Sequence, residues 1–392
     1  MALQIAIGFI CLLAGVFGIE LVLAKTQLVP ANEIDIPAMA RQAAAKRGAP
    51  FDTRDIYEVV RDARTENARS YHTLSSAYFA QDPAGSMIAL DGKPVLPLGI
   101  NTKADTYYCW DTGLPIKLST DRYGFRNPDA LWDEAPIDVL VLGDNYAFGA
   151  CLPMDESFVG VMRARVPKTI SLGVSSMGIL AELGTLREYG ALLKPKTVVL
   201  FFLPDDVRDV VREAENPIYK QYMDPAFRQG LPELAGRLQE PMDTLAEAYH
   251  EKTRLAFEAA GKQTKPFYKV PQIRALMKYW RYGPTRRPAP VIDIDAYMAG
   301  LARMAADVKA MDARFVFVYL PDCDDFGQGE WKQSLLDKVA ALDVQIVDAE
   351  AAIEVALPRG VADARYYCPG HFNPAGAKVV GEAVLKALGA LP

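Results

Sequence analysis

Histidine is scarce in this chain: His72, His250 and His371 are the three among 392 residues. Zinc and iron sites draw heavily on imidazole, and no cysteine pair here has zinc-ligand spacing, so neither a metal nor a cofactor is expected. Basic residues hold no surplus, since 43 Lys and Arg face 49 Asp and Glu for a net charge of −6. Without a basic excess or a long basic run there is no electrostatic footprint for nucleic acid. Internal repeats and low-complexity tracts are lacking too. An ordinary 51% hydrophobic share argues against disorder. The length allows a sizeable core, with room for one α/β domain and an inserted part.

One long apolar run is present. Ile5 to Leu23 is interrupted by Glu20 alone, and a helix of that length spans roughly 28 Å, enough for a bilayer core. Residues 5–23 are therefore expected to contact membrane lipid, with Glu20 close to one interface. Val22-Leu23-Ala24 could serve a signal peptidase, but the run is long and no basic segment precedes it, which favours an uncleaved anchor. Cys11 follows Phe9-Ile10 and makes a poor lipoprotein site. Lys25, Arg41, Lys46 and Arg47 follow the run, which on charge alone would keep the bulk of the chain in the cytoplasm, although large domains translocate largely regardless of charge. Cysteine weighs the other way. Outside the run stand Cys109, Cys151, Cys323 and Cys368, an even number that suits two disulfides in an oxidising compartment, with four separate buried thiols as the alternative.

Beyond the anchor (1–26), residues 27–130 read as a juxtamembrane linker, polar to about Pro50, followed by a small subdomain of short strands and turns. An α/β rhythm starts with a strand at Ile137–Leu142 and continues through strands at Thr169–Leu172 and Thr197–Leu203 with helices between, covering 131–215. Residues 216–290 read as a helical insertion punctuated by prolines. The rhythm resumes over 291–392, with strands at Arg314–Leu320 and Val344–Val347. Such alternation implies a parallel sheet covered by helices on both faces. Ligands then gather at the carboxyl ends of the strands. Gly143-Asp144-Asn145, Leu172-Gly173-Val174 and Pro204-Asp205-Asp206 all fall at such ends, and His371 stands just before the last helix.

These segments resemble the blocks of the SGNH (GDSL) hydrolases, in particular their membrane-anchored bacterial envelope branch. Val141-Leu142-Gly143-Asp144-Asn145 with Phe148-Gly149 is similar to the first block, and Ser171-Leu172-Gly173-Val174-Ser175 to the second. Phe201 to Val207 is similar to the third block, and His371-Phe372-Asn373-Pro374-Ala375-Gly376 to the last. Asp121 to Asn127 looks like the segment that often precedes the first block. The resemblance implies an SGNH/flavodoxin-like α/β fold, with the N-terminal transmembrane helix and the helical insertion added to it. It also implies a single-pass protein of the bacterial inner membrane with its bulk in the periplasm.

For chemistry the resemblance implies less. In the family a serine attacks, a histidine takes its proton, an acid three residues earlier orients the ring, and a glycine N–H and an asparagine hold the oxyanion. Here those positions carry Asn145, His371, Cys368, Gly173 and Asp205. A carboxamide supplies no dissociable nucleophile, an ionised Asp205 repels a developing oxyanion, and Cys368 supplies no carboxylate. The expectation is a hydrolase fold without ester hydrolysis, serving as a structural or binding subunit of an inner-membrane protein complex, with a glycan as a candidate ligand. The alternative is an envelope-polysaccharide O-acyl esterase or O-acetyltransferase that uses Ser175, Ser176 or Cys368.

Placement pairs Cys323 with Cys368 beside the site, and Cys109 with Cys151 between the subdomain and the first block. Asp205, Asp206 and Asp209, with Asp322, Asp324 and Asp325, could gather calcium, although solvated loop carboxylates are the ordinary reading. Lys278-Tyr279-Trp280-Arg281-Tyr282 with Arg286-Arg287 could rest on headgroups, a glycan or a partner, or be a plain helix end.

Overall fold

The computed structural model describes residues 2–26, 36–81, 87–262, 270, 272–274, 276–277, 293–323, 328–368 and 370–391. The chain forms two units, one of residues 1–38 with 252–290 and a larger one of 39–251 with 291–392.

In the larger unit, short strands come first: β1 (Ser70–His72), β2 (Ile88–Leu90), β3 (Lys93–Val95), β4 (Asp105–Tyr108) and β5 (Ile116–Ser119). β4 pairs with β1 and β5, while β2 and β3 form a separate antiparallel pair. Five parallel strands follow: β6 (Val139–Leu142), β7 (Thr169–Ser171), β8 (Thr197–Phe202), β9 (Arg314–Tyr319) and β10 (Gln345–Asp348). Their order across the sheet is β10-β9-β8-β6-β7.

Runs such as Val-Leu-Val-Leu in β6 and Thr-Val-Val-Leu-Phe-Phe in β8 are rich in β-branched and aromatic residues, suited to a strand buried on both faces. Side chains alternate accordingly. Leu140, Leu142, Leu200, Phe202 and Phe317 enter one core, under helices Ile179–Leu193 and Ile294–Ala310. Val139, Val141, Val199, Phe201 and Val316 enter the other, under helices Phe158–Arg163, Ala349–Ala356 and Pro374–Ala387. From β6 the chain steps out to β7 and then returns across β6 to β8. The topological switch point thus lies between the ends of β6 and β8, where this architecture forms its crevice.

Two local expectations change. The stretch read as a polar linker contains a helix, Ile36–Lys46, whose Ala40, Ala43 and Ala44 are buried. Alanine gives little hydrophobic signal in sequence but permits close approach and has the best helix propensity. The proline punctuation of the insertion also fails to break it, because Pro232 and Pro241 lie within one helix, Leu231–Lys262. Pro232 sits in the first turn, where no hydrogen bond is lost. Pro241 is held by its neighbours, since Leu238, Met242 and Leu245 are buried. Asp243 binds Arg69 at 2.9 Å and Glu247 binds Arg64 at 2.5 Å.

The smaller unit contains helix Ala2–Thr26, which includes the expected anchor. Among the described residues no helix is long and apolar enough to cross a membrane; several side chains of this helix lie outside the description. Glu20 is 1% exposed and accepts the backbone N–H groups of Gln272 at 2.8 Å and Ile273 at 2.9 Å. Lys278 to Arg287, Asp324 and Asp325 lie outside the described residues.

Candidate functional site

At the end of β6 the chain turns sharply. Gly143 has φ +140°, and a Cβ there would meet the carbonyl oxygen of Phe201 at 3.0 Å. A one-turn helix, Asn145–Phe148, follows, capped by Asp144, whose side chain accepts from Tyr146 N–H at 3.2 Å. Asn145 heads this turn. Its Oδ1 accepts from Ser176 N–H at 3.2 Å, so its amide N–H groups face elsewhere. Gly173 packs against the same turn, and a Cβ there would stand 2.5 Å from that of Ala147. Its own N–H donates to Ser171 Oγ at 3.3 Å.

His371 precedes helix Pro374–Ala387, whose start is capped by Asn373 accepting from Gly376 N–H at 3.0 Å. The imidazole is oriented, but Cys368 is not what orients it. Cys368 is bridged to Cys323, and Cys109 to Cys151, so the two expected pairings are present and Cys368 is neither acid nor thiol. The acid is Asp111, which sequence reasoning missed. Its Oδ2 lies 3.0 Å from His371 Nδ1 and accepts His371 N–H at 2.9 Å, while its Oδ1 accepts Tyr367 O–H at 2.6 Å. Burial pushes Asp111 upward, but the His371 ring, its N–H and Tyr367 together hold it below the ordinary carboxylate range. The ionised carboxylate takes Nδ1–H and leaves Nε2 as a base. One signal could have revealed it. Asp111 lies two residues after Cys109, and the Cys109–Cys151 bridge carries that segment to the first block.

The remaining candidates have other partners. Ser175 is buried and hydrogen-bonded to Tyr108, whose ring stands 6.1 Å from the His371 ring. Ser176 is held at φ +60°, with its N–H on Asn145 and its carbonyl on Arg212 at 3.2 Å. Among the described hydrogen bonds neither serine pairs with His371. Cys109 and Cys151 also lie in the left-handed region, at φ +64° and +63°. Such strain, about 1–3 kcal/mol per residue, persists where surroundings over-determine it, as at ligand sites.

The Asp121 segment has a bracing role. Asp121 accepts from Tyr123 and Phe125 N–H, Asn127 Nδ2 and Trp132 Nε1. Asn127 then clasps Ser171, donating to its carbonyl at 2.7 Å and accepting its N–H at 2.8 Å. Arg126 donates to the carbonyls of Gly149 and Leu152. The segment locks the first and second blocks together.

The ends of β6 and β8 are acidic. Asp205 begins helix Asp206–Glu213, with Oδ2 3.5 Å from Arg208 and its side chain making no cap bond. Carboxylate oxygens of Asp144, Asp205 and Asp206 lie within 4.8 Å of one another. Burial, then the charge of Asp205, pushes Asp144 up to about 8. Burial likewise raises Asp205 and, more strongly, Asp206. A second set, Cys109, Asp111, Cys151 and His371, is equally close, but its sulfurs are bonded to each other and cannot ligate. Asp322, expected nearby, accepts Cys323 N–H at 2.6 Å.

A cleft of about 560 Å³ opens beside Tyr367, lined by Lys46, Arg47, Arg365, Tyr366 and Asn373 among others. Arg47 donates to the carbonyl of Asp111 at 2.9 Å and stacks over Tyr366 at 4.6 Å. The helix in the supposed linker thus forms one wall.

The solved structures this chain resembles are GDSL-type lipases and esterases. A GDSL-like lipase of Parabacteroides merdae is 9% identical, covering 65% of this chain and 96% of its own, with a TM-score of 0.36. An acetylxylan esterase of Geobacillus stearothermophilus is 14% identical, with coverages of 65% and 96% and a TM-score of 0.37. A lipolytic protein of the G-D-S-L family from Desulfitobacterium hafniense is 11% identical over 64% of this chain and 98% of its own, with a TM-score of 0.35. No family model and no curated protein sequence matches the chain.

Proposed function

We propose that this chain is a membrane-anchored, periplasm-facing protein of SGNH-like fold that forms no seryl-enzyme and serves as a binding subunit of an inner-membrane assembly. The observation carrying this reading is Asn145. A carboxamide tied to Ser176 N–H occupies the head of the elbow, and it has no proton to give up as a nucleophile. Exposed Ile7, Leu12, Ile19 and Val22 on the first helix support the anchor, and the two disulfides fit an oxidising compartment. Tyrosines and cations in the cleft suit a hydroxyl-rich ligand such as an envelope glycan. Gentle detergent extraction followed by native mass spectrometry should find a stoichiometric partner or saccharide and no fluorophosphonate adduct. Robust ester hydrolysis abolished by His371→Ala would sink the reading.

Asp111 favours one second reading. With the Asp111–His371 pair intact, Nε2 could take the proton of a ligand hydroxyl while its oxygen attacks an acyl donor directly, the donor's leaving group departing without a covalent enzyme. Acyl transfer abolished by His371→Ala, with no trapped acyl-enzyme, would establish it over pure binding.

A further inference from the structure

We propose that Asp144, Asp205 and Asp206 hold a hard divalent cation at the switch point of the sheet, with Glu182 contributing to the same site. The site is independent of whether the chain binds or transfers acyl groups. Two adjacent strands build it, with Asp144 following β6 and Asp205 and Asp206 following β8. Oxygens within 4.8 Å of one another leave a central point about 2.8 Å or less from all three, close to a calcium–oxygen distance.

Proximity alone would not make a site, because acidic groups crowd many surfaces. Here Asp144, Asp206 and Glu182 are buried and Asp205 is half-buried, and several of their oxygens lack partners among the described residues. Asp206 is 1% exposed and Glu182 0%. Among the described residues Asp205 Oδ1, Asp206 Oδ1 and both oxygens of Glu182 have no hydrogen-bond partner. Glu182 belongs to the first turn of helix Ile179–Leu193, outside the aspartate triad. Its charge acts on Asp206, so the carboxylate lies near the cluster. Leaving one such oxygen unanswered costs about 1–3 kcal/mol, more when it is charged, and four are unanswered among the described residues.

The local cations do not answer them. Arg208 lies 3.5 Å from Asp205, and Arg212 binds Asp209 at 2.9 Å. Among the described residues Asp144, Asp206 and Glu182 form no ion pair. Backbone donors hold two of the ligands in place: Leu203 N–H binds Asp206 Oδ2 at 2.9 Å and Tyr146 N–H binds Asp144 Oδ1 at 3.2 Å. An all-oxygen donor set selects calcium, magnesium or manganese over zinc or copper. A cation here would also reverse the sign of the charge at Asp205, where the fold otherwise offers an anion to a developing oxyanion.

The other occupants able to neutralise these carboxylates are protons, and experiment separates the two. Full-length protein in detergent is stripped with chelator and then titrated with calcium, magnesium or manganese. Melting temperature is followed, together with terbium luminescence sensitised by the nearby tyrosines. The expected result is one ion per chain and a rise in Tm with metal. Asp206→Asn and Glu182→Gln should each weaken binding at least ~10-fold, yet in chelator be as stable as the wild type or more so, since each replaces a buried, incompletely partnered carboxyl by a neutral amide of the same shape. That second arm excludes misfolding as the cause of lost binding. No metal-induced Tm shift at millimolar ion, together with an infrared C=O band of protonated carboxyls lost in these variants, would assign the cluster to protons and overturn the proposal.

Discussion

Around His371 the acid is fully engaged: Asp111 accepts three hydrogen bonds, from the ring, the backbone and Tyr367. At the switch point of the sheet, carboxylate oxygens of Asp205, Asp206 and Glu182 stand without partners among the described residues. Asp144, Asp205 and Asp206 follow two strands of the five-stranded sheet, whereas Asp111 follows β4 of the smaller sheet and His371 precedes the last helix. Both regions mix buried with half-buried groups, so burial does not explain the difference. The histidine side pairs its acid within the protein, and the carboxylate side leaves room for a proton or a cation. An oriented imidazole and its acid are present on the one side, while Asn145 and Asp205 stand where the resemblance would place the nucleophile and the oxyanion donor.

The largest effect expected from that contrast is a gain of activity. With Asp111 in place, Asn145→Ser restores a nucleophile beside an oriented base but still faces Asp205. Asn145→Ser alone should leave ester hydrolysis at background. The double variant Asn145→Ser/Asp205→Asn should exceed it by roughly 10²–10³-fold, the value of one oxyanion-hole donor. Initial rates on p-nitrophenyl acetate test this, and equal rates for the single and double variants would show that Asp205 is not the obstacle.

Next in size is the loss of Asp111. Asp111→Ala strands the N–H groups of His371 and the hydroxyl of Tyr367, at about 1–3 kcal/mol for each unanswered buried group. Urea unfolding should show a loss of roughly 2–5 kcal/mol, and Asp111→Asn a smaller one because it keeps an acceptor. A loss below ~0.5 kcal/mol, typical of a plain surface substitution, would mean that the acid does not brace this side.

Much of the scaffold was legible because buried parallel strands announce themselves as short apolar runs, and each expected sheet strand recurs within a few residues. The elbow was legible through Gly143, and the disulfides through the placement of four cysteines. Asp111 was not, since it lies 260 residues from His371 and nothing local distinguishes it from any turn aspartate. Only the bridge from Cys109 gives it a site. Helix Ile36–Lys46 escaped because its buried face is alanine, and Asp144 and Glu182 were not joined to the acidic group expected at Asp205 and Asp206, since Glu182 looks like an ordinary first-turn acid on a helix. In each case the missing information was a contact between distant segments.

A smaller effect separates the two sides by stability at fixed pH. In chelator at pH 8, Glu182→Gln should raise Tm by roughly 2–4 °C, about 1 kcal/mol for a domain of this size, because it removes the cost of burying or protonating that carboxyl and breaks no described hydrogen bond. Calorimetry would decide it, and a lowered Tm would mean that the carboxylate has a partner in solution.

The smallest expected effect is in the sign of the pH dependence. Asp111 is held below the unfolded value of about 3.9, so its contribution is present at neutral pH and lost as pH falls through the folded value. The stability difference between wild type and Asp111→Asn should hold steady from pH 8 to 6 and shrink below about pH 4. Glu213, which accepts the N–H groups at the start of helix Ile179–Leu193, carries the opposite sign. Burial pushes it up to about 8, so the folded chain keeps a proton that the unfolded chain releases near pH 4.3. That contribution is complete below about pH 4.3 and is lost as pH rises towards 8. Metal-free wild type should therefore lose stability between pH 5 and pH 8, and a saturating cation should flatten that slope by replacing the protons of the neighbouring carboxylates. Parallel slopes with and without metal would mean that the two sides of the crevice differ in hydrogen bonding alone.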